Sequence, residues 1–141
     1  MFATGYSPTQ AYSNVAVETG VMAANPHKLI LMLFDGALLA IATATHALEE
    51  KKIATKGESV SKAIDIVANG LKASLDFDSG GDLAARLAAL YDYICERLLY
   101  ANLRNDKAAM EECTRLLMEL RSAWQEIAGD PAVVSASGKT G

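Results

Sequence analysis

The sequence predicts an all-α protein, an antiparallel up-down four-helix bundle with a flexible N-terminal arm or short helix. Apolar residues recur at steps of three and four in four segments. Ala and Leu dominate, aromatic residues make up only 6% of the chain, and the polar connections are short, which favours antiparallel neighbours. The 141 residues suit one domain. We divide them into an arm (1–24), a bundle (25–128) and a disordered tail (129–141).

The first helix is predicted to begin at Asn25-Pro26, because Asn is a good N-cap and Pro suits the first helical position. It runs to about Glu50. The stretch 29–48 is long and apolar enough to cross a bilayer, but Asp35 inside it would be costly there. We therefore expect a core helix and no stable membrane insertion. Asp35 itself is expected to face solvent or to be hydrogen-bonded, with a polar contact to a partner as the alternative.

The second helix is predicted over about 54–75 and carries two apolar sets. The first set is sufficient for a bundle core and consists of Val60, Ile64, Val67, Leu71 and Leu75. The second set is small and would suit either the floor of a groove or a tight helix contact; it consists of Ala63, Ile66, Gly70 and Ala73.

Two further helices follow the linker at 76–81, where Gly80 and Gly81 end one helix and Asp82 favours the start of the next. The third helix carries Leu83, Leu87, Leu90, Ile94, Leu98 and Ala101. After a polar turn at 102–106, the fourth repeats its apolar residues in a coiled-coil-like seam: Met110, Cys113, Leu117, Leu120, Trp124 and Ile127. Tyr91 and Tyr93 are two residues apart, so they point to different faces and at most one can follow the core.

Several function classes are disfavoured by the residues present. The net charge is −4 without a basic stripe, so nucleic acid is not an expected partner. A di-iron bundle needs two Glu-x-x-His motifs, but neither His27 nor His46 has a Glu three positions earlier. Cys95 and Cys113 form no Cys-x-x-Cys motif and are expected to be structural thiols in a reducing cytosol. We predict no catalytic residue, no metal and no cofactor.

An ordered set of motifs resembles the flagellar secretion chaperone FliS family over about residues 12–127. The motifs are Asn25–Ala37, Lys62–Leu71, Leu75–Gly81, Leu90–Tyr93 followed by Ala101-Asn102, and Leu120–Trp124, with Ala11-Tyr12 and Val15 in the arm. Two positions depart from the family's pattern. Phe34 stands where many relatives carry Tyr, and Thr9 stands where an apolar residue is expected.

The resemblance implies a cytosolic chaperone, not an enzyme, that binds the C-terminal segment of flagellin one-to-one. Binding would prevent premature polymerisation and assist delivery of flagellin to the flagellar export apparatus. The further partners it implies are a component of the export gate and, in some members, the flagellar anti-sigma factor. The alternative function is a helical-bundle chaperone or regulator for another flagellar or secretion protein, such as that anti-sigma factor.

The groove that binds the partner is expected to be lined by apolar side chains that are not buried in the core of the bundle. Its predicted residues are Leu29, Met32 and Leu33 of the first helix, Ile66, Val67 and Leu71 of the second, and Tyr91, Tyr93 and Asn102 of the third. In the free protein, Tyr12 and Val15 of the arm are expected to dock into this groove and to leave when flagellin arrives.

Overall fold

The computed structural model describes residues 25–127, which form four α-helices joined by short connections. The helices are α1 (Pro26–Glu49), α2 (Ile53–Asp65), α3 (Phe77–Arg104) and α4 (Lys107–Glu126), and α2 continues through a π-helical segment, Ile66–Leu71, and a 3-10 turn, Lys72–Ser74. Each helix packs against its neighbours in the order α1, α2, α3, α4, and α4 returns to α1. The predicted all-α four-helix fold is confirmed. The arm, the tail and position 128 lie outside the described residues.

The helix starts follow from capping side chains. The Asn25 side-chain oxygen accepts a hydrogen bond from the Lys28 backbone N–H at 3.2 Å, and Asp106 caps α4 through the N–H of Ala109 at 3.1 Å. Asn105, in the left-handed conformation with φ 53°, ends α3 just before that cap. The predicted first N-cap is therefore present, whereas the turn predicted over 102–106 is confined to Asn105 and Asp106, because α3 continues to Arg104.

The start of α3 differs from the prediction. Asp76 accepts hydrogen bonds from the N–H groups of Asp78 and Ser79 at 3.0 and 3.1 Å, so helical structure begins at Phe77 rather than at Asp82. The helix is interrupted only at Gly81, whose φ of 52° and ψ of −126° suit a glycine. The linker predicted over 76–81 is thus an extra helical turn followed by a kink.

The π-helical segment of α2 was not predicted. A π-helix bonds residue i to i+5 and holds more residues per turn than an α-helix. Four of the six residues of this segment, Ile66, Val67, Gly70 and Leu71, are buried. The two apolar sets predicted on separate faces of the second helix therefore merge into one buried surface along this segment.

The core lies along the axis of the bundle and draws on all four helices. Its largest fully buried side chains are Val60, Val67 and Leu71 of α2 and its π-helical extension, Ile41 of α1, Ile94 and Leu98 of α3, and Met110, Cys113 and Leu117 of α4. The seam predicted for the fourth helix is confirmed at Met110, Cys113 and Leu117, while Leu120 and Trp124 are half-buried against the core.

Within residues 25–127, α1 alone is long and apolar enough to cross a membrane. In the structure, the buried residues of α1 pack against α2 and α4.

Two aromatic rings join the beginning of α1 to the end of α4. The His27 imidazole stacks on the Trp124 indole with ring centroids 4.9 Å apart and an interplanar angle of 9°. His27 Nε2 donates to the Trp124 carbonyl oxygen at 2.7 Å, and Trp124 Nε1 donates to the His27 carbonyl oxygen at 3.0 Å. His27 is therefore a structural residue, and this reciprocal contact holds the first and last described helices side by side.

A buried lysine fixes the end of α3 to α2. Lys56 is only 6% exposed, and its ammonium group donates to the Asn102 carbonyl oxygen at 3.0 Å and to the Asn105 side-chain oxygen. A cation at a helix C-terminus also interacts favourably with the helix dipole. No local sequence pattern indicates this role, because the partners lie 46 and 49 residues away.

We expect Lys56→Met to lower the free energy of unfolding by about 1–3 kcal/mol, because charge-assisted hydrogen bonds at the end of α3 lose their donor. Met keeps the apolar stem, so packing is largely preserved. Urea unfolding followed by circular dichroism measures the effect, with the exposed Lys52→Met as the matched control. Equal midpoints for the two variants would show that the buried contact adds nothing to stability.

Candidate functional site

Large apolar side chains remain outside the core and concentrate on α3. Of the nine large apolar residues that are exposed within residues 25–127, six belong to this helix: Phe77, Leu83, Tyr93, Leu99, Tyr100 and Leu103. Single exposed apolar residues are normal on a protein surface, but neighbouring ones indicate an interaction site. The C-terminal half of α3 is therefore the candidate partner-binding surface.

We call Tyr93, Leu99, Tyr100 and Leu103 the α3 outer face. Leu99 and Leu103 are four residues apart, and Tyr100 and Leu103 are three apart, so these side chains are neighbours on the helix surface. All four are exposed. The residues between them that face the bundle, such as Leu98, are buried. One helix thus supplies both core packing and free apolar surface.

A polar network holds the tyrosines of the α3 outer face in place. The Tyr93 hydroxyl donates to Glu112 Oε2 at 2.5 Å, and Arg97 Nε donates to Glu112 Oε1 at 2.9 Å. The Arg97 guanidinium also lies 4.8 Å from the centre of the Tyr100 ring, a cation–π distance. The hydrogen bond to Glu112 raises the pKa of the Tyr93 hydroxyl, and those from Tyr93 and Arg97 lower the pKa of the Glu112 carboxyl. Arg97 and Glu112 thus contact both tyrosines of the face or the groups beside them.

Five of the nine predicted groove residues lie inside the bundle. They are no more than 5% exposed, and they are Leu33, Ile66, Val67, Leu71 and Tyr91. A Cβ atom added to Gly36 of α1 would lie only 3.3 Å from Ile66 Cδ1, so the two helices approach closely at this point. Three members of the small second set, Ala63, Ile66 and Gly70, are buried, whereas Ala73 is exposed. In the described structure the five predicted groove residues pack in the core, and their contact with a partner stays a prediction.

The other four predicted groove residues reach the surface to different degrees. Leu29, Met32 and Asn102 are half-buried, and Tyr93 is exposed. Only Tyr93 belongs to the α3 outer face. The expected division of Tyr91 and Tyr93 between two faces is confirmed, and burial raises the pKa of Tyr91 to about 12. Contact of these residues with a partner stays a prediction.

The predictions for the arm concern residues outside the described range. Tyr12, Val15 and Thr9 all precede residue 25, so docking of the arm stays a prediction. Phe34, the other departure from the family's pattern, is a core residue of α1. A hydroxyl at this ring would need a partner inside the core, so phenylalanine suits its surroundings.

Asp35 forms an ion pair within the chain. Its carboxylate accepts a hydrogen bond from Arg121 Nε at 2.6 Å, which links the exposed sides of α1 and α4. The prediction that this acid is solvent-facing or hydrogen-bonded is confirmed, and the alternative, a polar contact to a partner, stays a prediction. Such an exposed pair adds little stability.

The described residues show no arrangement typical of catalysis. Burial raises the pKa of the Cys95 thiol to about 11 and that of Cys113 to about 12, so neither is a reactive thiolate near neutral pH. Both are free cysteines. Within residues 25–127 there is no cluster of three His, Cys, Asp or Glu side chains that could hold a metal ion. The chemistry available at this surface is apolar and hydrogen-bonding contact with another chain.

Known proteins match this chain over most of its length. A family model described as "Flagellar protein FliS" matches residues 8–131. The "Flagellar secretion chaperone FliS" of Salmonella typhimurium is 52% identical over 86% of this chain and 90% of its own. The proteins of the same name from Escherichia coli and Bacillus subtilis are 44% identical over 89% of the chain and 93% of their own, and 32% identical over 85% of each.

Proposed function

Since the chain belongs to the FliS family of flagellar proteins, we propose that it binds the C-terminal segment of flagellin, one-to-one, in the cytosol. Covering this segment prevents premature polymerisation and assists delivery of flagellin to the flagellar export apparatus. The relatives are named secretion chaperones, and the chain is accordingly a member of a chaperone family, not an enzyme.

The exposed α3 outer face is the observation that carries this proposal. A segment that is disordered when free can fold as an amphipathic helix against such a surface, with apolar anchors at spacings of three and four residues. Ordering the segment costs free energy, so a chaperone of this kind needs a large apolar contact rather than a small pocket. Leu99 and Leu103 supply apolar area, and Tyr93 and Tyr100 supply rigid rings with hydroxyl groups.

A wrapped segment would also contact α1. Leu29 and Met32 are half-buried at its N-terminal end, where the arm joins the bundle. We propose that Tyr12 and Val15 of the arm cover apolar surface of the bundle in the free protein and compete with flagellin. An export gate component and the flagellar anti-sigma factor are further proposed partners.

The direct test is a pull-down of full-length flagellin and of flagellin lacking its C-terminal segment by the full chain. We expect the full-length protein to be retained in a one-to-one complex and the truncated protein to be lost. Equal retention of both would overturn the proposal. A parallel titration with a flagellin C-terminal peptide, using the chain with and without residues 1–16, tests competition by the arm. Equal affinities would show that the arm does not compete.

A further inference from the structure

A second surface groove lies between α1 and α4 and shares no residue with the α3 outer face. It is open to solvent and has a volume of about 830 Å³. Its α1 side is formed by residues from Ala42 to Glu49, and its α4 side by residues from Glu111 to Glu126. The α4 side extends over about 22 Å, whereas the α1 side extends over about 10 Å, so both helices line the groove over about two helical turns.

The floor of the groove suits close approach of another helix. Ala42, Ser122 and Ala123 are small, and they present little side chain that would hold a second backbone away. Met118 lies among the lining residues and is 54% exposed. An exposed methionine offers an apolar side chain that can adapt to different partners. The shape and chemistry of the floor are those of a helix-in-groove site.

The rim of the groove is acidic. Four glutamates line it against one arginine, Arg115. Glu49 is neutralised by Lys107 at 3.0 Å, whereas Glu111, Glu119 and Glu126 form no ion pair with any side chain in the described part of the chain. A partner that placed cations along both edges of its apolar stripe would match this pattern.

From this geometry we infer that the α1–α4 groove is a docking site for a cationic amphipathic helix supplied by another protein. Its apolar stripe packs on Met118 and the small residues, and its Lys or Arg side chains pair with Glu111, Glu119 and Glu126. The site does not depend on the proposed binding of flagellin to the α3 outer face, because the two surfaces have no residue in common.

The remainder of the chain does not have the required charge. Residues 1–24 contain no Lys or Arg and one acid, Glu18. Residues 128–141 contain one cation, Lys139, and one acid, Asp130. Neither segment can supply several cations along a helix. The occupant that complements the groove is therefore a different chain.

The test uses the full chain and an 18-residue synthetic helix of Leu and Lys, with all Leu on one face, carrying a fluorescent label. A second peptide replaces every Lys by Glu and keeps the apolar face. We expect the cationic peptide to bind at least about tenfold more tightly than the anionic one, and more weakly as salt rises. Equal binding of the two peptides would overturn the inference.

Charge-reversed variants show where the peptide binds. The double variant Glu111→Lys/Glu119→Lys alters the groove, and Glu58→Lys/Glu96→Lys makes the same change in net charge at exposed positions elsewhere. We expect only the groove variant to weaken binding, by at least about tenfold. Equal weakening by both would mean that the peptide responds to overall charge, which contradicts a specific site.

Two further measurements separate other occupants. If light scattering shows that the free chain is a dimer and that the groove variant is a monomer, the groove is occupied by a second copy and the inference is wrong. Displacement of the cationic peptide by a flagellin C-terminal peptide would also overturn it, because the two sites would then be one. Simultaneous binding of both peptides supports two sites. A failure of flagellin binding alone would affect only the proposed function.

Discussion

Replacing Leu98 by alanine is expected to lower the free energy of unfolding by about 2–5 kcal/mol, whereas the same change at Leu99 lowers it by less than about 0.5 kcal/mol. Leu98 is 0% exposed and is among the largest fully buried side chains, while its neighbour Leu99 is 51% exposed. Truncation at 98 removes apolar burial and leaves a cavity in the centre of the bundle. Truncation at 99 removes a side chain that already contacts water.

Urea unfolding followed by circular dichroism compares the two variants. Leu98→Met serves as a second core variant, because a swap that conserves volume costs less than about 1.5 kcal/mol and keeps the protein folded at 25 °C. Similar losses for Leu98→Ala and Leu99→Ala would contradict the assignment of α3 to one buried and one free face.

The double variant Leu99→Glu/Leu103→Glu is expected to lower the affinity for a flagellin C-terminal peptide by at least about 30-fold. Burial of a leucine side chain contributes about 1.5–3 kcal/mol, and about 2 kcal/mol of lost binding energy corresponds to this factor. The introduced carboxylates would also be desolvated by an apolar partner, which adds to the loss. Calorimetric titration of the full chain with the peptide measures the effect.

The matched control for this experiment is Leu99→Met/Leu103→Met, which keeps apolar side chains at both positions. We expect its affinity to stay within about threefold of the unchanged protein, and both double variants to unfold at similar urea concentrations. If the glutamate variant binds the peptide as tightly as the unchanged chain, the α3 outer face is not the flagellin contact.

The helices and their ends were predictable because the signals are local. Asn25-Pro26 marks the start of α1, and polar residues around Asn105 and Asp106 mark the turn before α4. The three–four spacing of Met110, Cys113 and Leu117 identified the buried seam of α4. One local prediction was wrong. Gly80 and Gly81 predicted a linker before Asp82, but Asp76 caps an extra helical turn that begins at Phe77.

The residues of the candidate site were harder to predict than the helices. Periodicity alone does not tell whether an apolar side chain on a helix lies in the core or lines a groove. Ile66, Val67 and Leu71 are buried in the π-helical segment that continues α2. Their spacing places them on one side of a helix but does not show what covers that side. The α3 outer face was found only in part, through Tyr93, although the spacing of Leu99 and Leu103 would have suggested it.

The sequence by itself determined the class of fold, the number of helices, most of their ends and the family to which the chain belongs. These depend on spacing, capping and ordered motifs, which act over a few residues. The tertiary structure alone decided which apolar faces are buried, and it created the contacts of Lys56 with α3 and of His27 with Trp124. Such contacts join residues 46 and 97 positions apart. They exist only after helix packing has selected one face of each helix for the core, which leaves the other face in contact with solvent.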